Sequence, residues 1–213
     1  MAADGGAGRA MHISDGFGVP EQLLAGAGVA SAALAGGLLA RMDSDRVPRV
    51  ALCTAFFFVA SLVHVPVGPT SVHLLLVGLV GIIAGPWAFL PVAFGLVLQA
   101  LLFQHGGITT LGVNAVVMGL PAYAAWGVFR LGRRLPFGWS TVLSGFLAGW
   151  LAVGCASVLL ALFLASAGES FRGVAVAALL AHQPVALIEG VVTASAAGLI
   201  EKVEPEMLGS AHA

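Results

Sequence analysis

The chain has 213 residues, of which 59% are hydrophobic and 9% charged, and its formal net charge is −1. A soluble protein of this size could not keep so much apolar surface from water, and the nine basic residues form no single patch for nucleic acid. No Asp, Glu, Lys or Arg occurs between residues 50 and 129. Because a bilayer core of roughly 30 Å needs about 20 apolar residues per helix, this run alone predicts several membrane helices.

The first ten residues, MAADGGAGRA, are small and polar and contain no apolar stretch of the kind found in signal peptides. We therefore divide the chain into three parts. A polar N-terminal extension covers residues 1–10, a membrane-embedded unit covers residues 11–200, and a cytoplasmic tail covers residues 201–213.

Hydropathy predicts an all-α, polytopic membrane protein with about seven transmembrane helices. The third and fourth spans are joined by little more than the turn signal Gly85-Pro86. The predicted spans are Leu23–Ala40, Val50–Val63, Val72–Gly85, Trp87–Phe103, Val113–Phe129, Pro136–Ser166 and Val174–Ile200.

The basic residues predict the orientation of the bundle, since cytoplasmic loops are enriched in Lys and Arg. Seven of the nine fall on one side of the seven spans, which places the N-terminus outside and the C-terminus inside. These seven are Arg41, Arg46, Arg49, Arg130, Arg133, Arg134 and Lys202.

The segment Met11-His12-Ile13 lies on the predicted outer face and has the chemistry of a metal chelator. A free α-amine on Met11, the His12 backbone nitrogen and the His12 imidazole can close two fused chelate rings on one ion. Three nitrogens in a plane, completed by a fourth nitrogen from elsewhere in the chain, suit Ni(II) or Cu(II). This chemistry needs a free amine on Met11, whereas the printed chain starts ten residues earlier.

Two further histidines on the outer side compete to supply the fourth nitrogen. Thr70 and Ser71 stand where a helix N-cap would serve the third span, which would place His73 in its first turn. A ligand on a rigid element is held better than one in a loop, so we favour His73. His64, in a Pro-flanked loop, stays the alternative or an accessory group.

The segment Gln104–Gly112 is rich in glycine and threonine and predicts a tight loop, possible at membrane depth only where protein or a cavity surrounds it. His105 in this loop is a further outer-face histidine and an accessory candidate. Asn114, just inside the fifth span, is predicted either to orient a metal ligand or to pack against a neighbouring helix.

His182 and Glu189 share one face of the seventh span, two turns apart. An ionisable residue within a span indicates a functional site by default, although a structural hydrogen bond to a neighbouring helix is the alternative for Glu189. A remote hypothesis is an intramembrane hydrolase that uses these two residues with a metal or with Ser144.

The chain contains no GxxxxGK[ST] phosphate loop, and Lys202 is its single lysine. Hydrolysis of ATP by that mechanism is therefore excluded for this chain. If the protein moves metal uphill, another subunit is expected to supply the energy.

Five segments together resemble the CbiM/NikM family, the substrate-specific S components of energy-coupling factor transporters for cobalt and nickel. The resemblance runs from Met11 to about Ile200. The segments are MHISDGF, GPTSVHLL, GIIAGPWAF, LLFQHGGITTLGVNAVVMGLPA and HQPVALIEGVVTA.

The resemblance implies a transporter subunit rather than an enzyme, in the cell membrane of a prokaryote, with no cofactor and with Ni²⁺ or Co²⁺ bound as substrate. It implies that the N-terminus inserts into a seven-helix bundle, where the Met11 amine, the His12 amide and imidazole, and His73 hold the ion. It also implies as partners a transmembrane T component, two ATP-binding cassette ATPases and a small accessory membrane subunit.

Family members begin at the methionine of this motif, so we expect the mature chain to begin at Met11. An S component for a small organic substrate such as a vitamin is the alternative function. It predicts a cavity with aromatic walls and no bound ion.

Overall fold

The structure, a computed structural model, describes residue 13 and residues 20–39, 42–67, 70–103 and 106–209; the side chains of residues 24, 35, 37–39, 64–67 and 70–73 are outside this description. Within these ranges the chain forms seven α-helices and one two-stranded hairpin, so the predicted all-α class and helix number are confirmed. The helices are α1 (Pro20–Leu39), α2 (Val47–Ala60), α3 (Val77–Ala84), α4 (Phe89–Phe103), α5 (Leu111–Gly132), α6 (Ser140–Ser166) and α7 (Arg172–Val203). The strands are β1 (His64–Val67) and β2 (Thr70–His73).

The three longest helices lie in the second half of the chain. Among the described residues, three helical segments are long and apolar enough to cross a membrane: α5, α6 and the stretch Glu169–Val203, which contains α7. In contrast, α3 has eight residues, which at the α-helical rise is about 12 Å, well short of a bilayer core.

A single 3₁₀ turn, Gly85–Trp87, joins α3 to α4. Gly85 has a φ of 61°, a conformation that glycine adopts without the steric penalty of a Cβ atom. The close join that the Gly85-Pro86 signal predicts is confirmed.

The prediction that Thr70 and Ser71 cap the third span is wrong. Both lie in β2, His73 is its last residue, and α3 begins only at Val77. The segment around the hairpin alternates β-branched residues with others (Val65, Val67, Thr70, Val72), a pattern that favours extended backbone. In an apolar chain this alternation is hard to separate from helical hydropathy, which explains the error.

Three helices meet at glycines with almost no space between their backbones. A Cβ atom added to Gly78 in α3 would lie 2.5 Å from Gly149 Cα in α6. One added to Gly149 would lie 2.6 Å from the backbone oxygen of Glu189 and 2.6 Å from Thr193 Oγ1, both in α7. Such contacts between small residues are the usual means of close helix packing in membranes.

At one end of the bundle, two arginines hold the C-terminal segment. Arg133 Nη1 donates to the carbonyl oxygens of Leu208 (3.1 Å) and Gly209 (2.8 Å), and Arg49 Nη1 lies 3.4 Å from the carbonyl oxygen of Met207. Two of the residues predicted to be cytoplasmic therefore share one end with the C-terminal segment. That this end faces the cytoplasm stays a prediction.

We expect Gly149→Ala to destabilise the protein by about 1–3 kcal/mol, because the new methyl group has to displace the backbone of α7. Gly154→Ala in the same helix is the matched control, since a Cβ atom there meets nothing within 4 Å. Thermal unfolding in detergent measures both. Equal midpoints for the two variants would contradict the close contact of α6 with α7.

Candidate metal centre

Ile13, the residue after His12, is buried inside the bundle at 4% exposure. Its N–H donates to Asn114 Oδ1 (3.0 Å), and its carbonyl oxygen accepts a hydrogen bond from Asn114 Nδ2 (3.0 Å). The same carbonyl oxygen accepts a second, shorter bond from Thr110 Oγ1 (2.6 Å). Both backbone polar groups of Ile13 are therefore satisfied, and the chain next to the predicted chelate is fixed in the interior.

The first turn of α5 positions this clamp, which consists of Thr110 and Asn114. Thr110 is the N-cap residue of α5, and Asn114 follows one turn later, with its backbone N–H on the carbonyl oxygen of Thr110 (2.9 Å). Both side chains are almost completely buried, at 0% and 1% exposure. Thr110 Oγ1 also lies 3.2 Å from the carbonyl oxygen of Gly107, which ties the loop before the helix to the clamp.

An asparagine side chain suits this task because its amide carries both a donor and an acceptor, as a peptide group does. It therefore pairs with the backbone of Ile13 as a neighbouring strand would, and holds that residue inside the bundle. Sequence reasoning left two roles open for Asn114, orienting a metal ligand or packing against a neighbouring helix. It missed Thr110, which lies in the predicted loop, three residues before the predicted start of the fifth span.

The hairpin brings His64 and His73 together in the backbone. The two are Cα partners in the antiparallel pairing of β1 with β2, and Leu74 N bonds to Val63 O (3.4 Å) at the base. The sequence places them nine residues apart without indicating that they face each other. Both thus belong to one rigid element rather than to a loop and a helix.

Met11, His12 and His105 lie outside the described residues. Among the described residues, no group of three or more His, Cys, Asp or Glu side chains is placed to hold a metal ion. The structure describes only the neighbours of the predicted ligands, Ile13 after His12 and the backbone of the hairpin at His73.

Glu189 is completely buried and contacts the backbone of the residues that follow the hairpin. Its Oε1 accepts hydrogen bonds from the N–H groups of Leu75 (2.7 Å) and Leu76 (2.6 Å). The predicted alternative of a structural hydrogen bond thus holds, but the partner is the link between β2 and α3 rather than another helix.

The three residues of the remote hydrolase hypothesis have separate partners. Ser144 Oγ donates to the carbonyl oxygen of Ser140 within α6, and His182 Nδ1 lies 2.5 Å from the carbonyl oxygen of Ala178 within α7. With Glu189 on the link, no hydrogen bond joins the three among the described residues, so the arrangement does not resemble a catalytic triad.

Comparison with known proteins points to one family. A family model described as the cobalt uptake substrate-specific transmembrane region matches residues 12–207. A putative metal transport protein of Haemophilus influenzae is 38% identical, with 93% of this chain and 97% of that protein aligned. The cobalt transport protein CbiM of Sorangium cellulosum is 36% identical over 78% of each chain.

A solved structure agrees with the sequence comparisons. The crystal structure of a truncated transition metal transporter superimposes with a TM-score of 0.78 and 26% identity, covering 91% of this chain and 99% of that one. The similarity therefore extends over the bundle and is not confined to a few helices.

We expect Asn114→Leu to release Ile13 from the bundle. The change leaves the Ile13 N–H without an acceptor at a cost of about 1–3 kcal/mol, so deuterium uptake by the N-terminal peptide that contains Ile13 becomes faster. Thr110→Ser, which keeps the hydroxyl group, is the control and behaves like the wild type. Unchanged uptake in Asn114→Leu would mean that the clamp does not hold the segment.

Proposed function

Because the chain belongs to the CbiM cobalt-uptake family, we propose that it captures Ni²⁺ or Co²⁺ and carries it across the membrane as the S component of an energy-coupling factor transporter. The family is a transmembrane transporter component and not an enzyme. The observation that carries the proposal is the burial of Ile13 on Asn114 and Thr110. Asn114 and Thr110 use their buried polar groups on the backbone of Ile13, and this contact directly after His12 supports a site built on that part of the chain.

In the proposed site, the ion is the substrate, held by the Met11 amine, the His12 backbone nitrogen, the His12 imidazole and a nitrogen of His73. The clamp supports this arrangement because His12 is bonded directly to the anchored Ile13. The hairpin supports it because His73 ends a strand whose base is closed by hydrogen bonds. His64, its partner in the register, is proposed as an accessory group, as is His105.

The chemistry of the donors bears on which metal is carried. Four nitrogens in a plane favour Ni²⁺ over Co²⁺, and Cu²⁺ would bind more tightly still. Selectivity against copper then depends on the shape of the site and on the supply of metal to the cell surface. We propose nickel as the better substrate, with cobalt as the competitor named by the relatives.

Energy for transport is proposed to come from partner subunits. The chain has no phosphate-binding loop of the GxxxxGK[ST] type, so ATP hydrolysis is assigned to two ATP-binding cassette subunits, coupled through a transmembrane T component, with a small accessory membrane subunit. The complex is proposed to reside in the cell membrane of a prokaryote, with the N-terminus of this chain outside.

We expect His12→Ala and His73→Ala each to abolish measurable nickel binding, because each removes a nitrogen from the coordination plane. His64→Ala is expected to weaken binding modestly. His212→Ala changes a histidine near the C-terminus and serves as the control that keeps wild-type affinity. Isothermal titration with elemental analysis of the purified protein checks the series, and tight binding by His12→Ala would overturn the chelate.

The proposed site also requires a free α-amine on Met11. A chain expressed from Met11 is expected to purify with bound metal, whereas a chain whose N-terminus is verified as Met1 is expected to lack it, because its Met11 nitrogen is a peptide amide. Intact-protein mass spectrometry establishes each N-terminus before elemental analysis. Equal metal content in the two forms would exclude the amine as a ligand.

A further inference from the structure

The link Leu74–Leu76, which joins the end of β2 at His73 to the start of α3, is held by an acid from a distant part of the chain. Glu189 Oε1 accepts hydrogen bonds from the N–H groups of Leu75 (2.7 Å) and Leu76 (2.6 Å). Glu189 lies near the middle of α7 and is completely buried, and Leu75 is completely buried as well.

Burying an acid in the middle of a membrane helix costs free energy. Ionisable residues within spans are costly and mark functional sites by default. Non-helical backbone at membrane depth persists only where the protein itself satisfies its polar groups. The link is such backbone, and Glu189 supplies the acceptor for two of its N–H groups.

The backbone that Glu189 holds is also strained. Leu76 has a φ of 53° and is the one residue other than glycine with a positive φ in the part of the chain that the structure describes. A leucine in the left-handed region is unfavourable, and such residues persist where the surroundings over-determine them. The N–H group of Leu76 is one of the two that bind Glu189, so the acid stabilises the turn that sets the direction of β2 relative to α3.

The residues that lead into the hairpin are fixed by a second helix, at the same base as the link. Gln99 Nε2 in α4 donates to Ser61 Oγ (2.8 Å), three residues before His64, and both side chains are buried. With the bond from Leu74 N to Val63 O closing the base, the hairpin is held between polar contacts to α4 and to α7. The place of its histidines is therefore decided by side chains from outside the hairpin.

We propose that Glu189 is a positioning residue for the metal site: by holding the N–H groups of Leu75 and Leu76, it fixes His73 in the place where the ion is bound. The consequence for metal binding rests on the function proposed above, whereas the holding of the link does not. A carboxylate that itself binds the ion is the competing role, and the two roles make opposite demands on the side chain. Holding two N–H groups needs an oxygen acceptor, which glutamine provides, and binding a cation needs the negative charge.

Three substitutions at this position separate the two roles. Glu189→Leu keeps much of the volume and removes the acceptor, Glu189→Gln keeps the acceptor without the charge, and Glu189→Asp keeps the charge on a side chain one methylene shorter. Thr193→Val is the matched control. It lies one turn further along α7, is equally buried, and its Oγ1 has no hydrogen-bond partner among the described residues.

Nickel affinity and the absorption spectrum of the nickel-saturated protein are measured in the form of the full chain that binds nickel. We expect Glu189→Leu and Glu189→Asp to lose affinity by about 10–100-fold, the range found when groups that orient metal ligands are removed, and to shift the d–d absorption bands. Glu189→Gln and Thr193→Val are expected to retain affinity and spectrum. A simple loss of stability would reduce the fraction of active protein without shifting the bands.

Deuterium uptake by the peptide covering residues 70–76, measured without metal, tests the holding of the link on its own. It is expected to accelerate in Glu189→Leu and Glu189→Asp and to stay as in the wild type in Glu189→Gln. If Glu189→Leu fails to fold, the aspartate variant carries the test.

Three outcomes overturn the inference. They are unchanged uptake in a folded Leu or Asp variant, wild-type affinity and spectrum in that variant, and a glutamine variant that binds nickel as weakly as the leucine variant. A wild type that binds no nickel overturns the proposed function instead, and the uptake experiment still decides whether Glu189 holds the link.

Discussion

Backbone that is not helical inside a membrane bundle has to find its hydrogen-bond partners within the protein, and the candidate site depends on this constraint. Ile13 and the link after His73 are two such places among the described residues. Each is met by a buried polar side chain from a long helix, Asn114 in α5 and Glu189 in α7. Each hydrogen bond thus compensates both the burial of the polar side chain and the burial of non-helical backbone.

Close packing at glycines decides the depth at which these contacts form. Gly149 lets α7 approach α6 until the backbone oxygen of Glu189 would be 2.6 Å from an added Cβ atom, and Gly78 brings α3 onto the same spot. Since the side chain of Glu189 extends from this junction to the start of α3, the glycines determine whether its carboxylate reaches Leu75 and Leu76. Close packing at a glycine also occurs beside the clamp, where a Cβ atom on Gly112 would lie 2.6 Å from Ala27 Cα in α1. The close packing of the helices at glycines therefore also sets the positions of the polar side chains that hold the backbone.

The short helix α3 is preceded by the hairpin. With eight residues it covers less than half of a bilayer core. In a two-stranded hairpin only the groups that face the partner strand pair with each other, and the link after β2 gains its acceptor from Glu189. The antiparallel pairing places two histidines opposite each other in the register, and the chain is held by a polar contact just before β1 and just after β2. A ligand on such an element is oriented before the ion arrives, which favours tight binding.

The amino-acid sequence determined the membrane class, the seven helices and the resemblance to a metal-transporter family, because hydropathy and short motifs are local properties of the chain. It predicted that Asn114 serves the site, but it assigned Thr70 and Ser71 to a helix cap because strand and helix look alike in an apolar run. What Asn114 and Glu189 bind was decided by the tertiary structure alone, since their partners are separated from them by 101 residues and by 113–114 residues. Whether a buried acid meets a backbone amide depends on helix packing to within an ångström, and no local pattern carries that information.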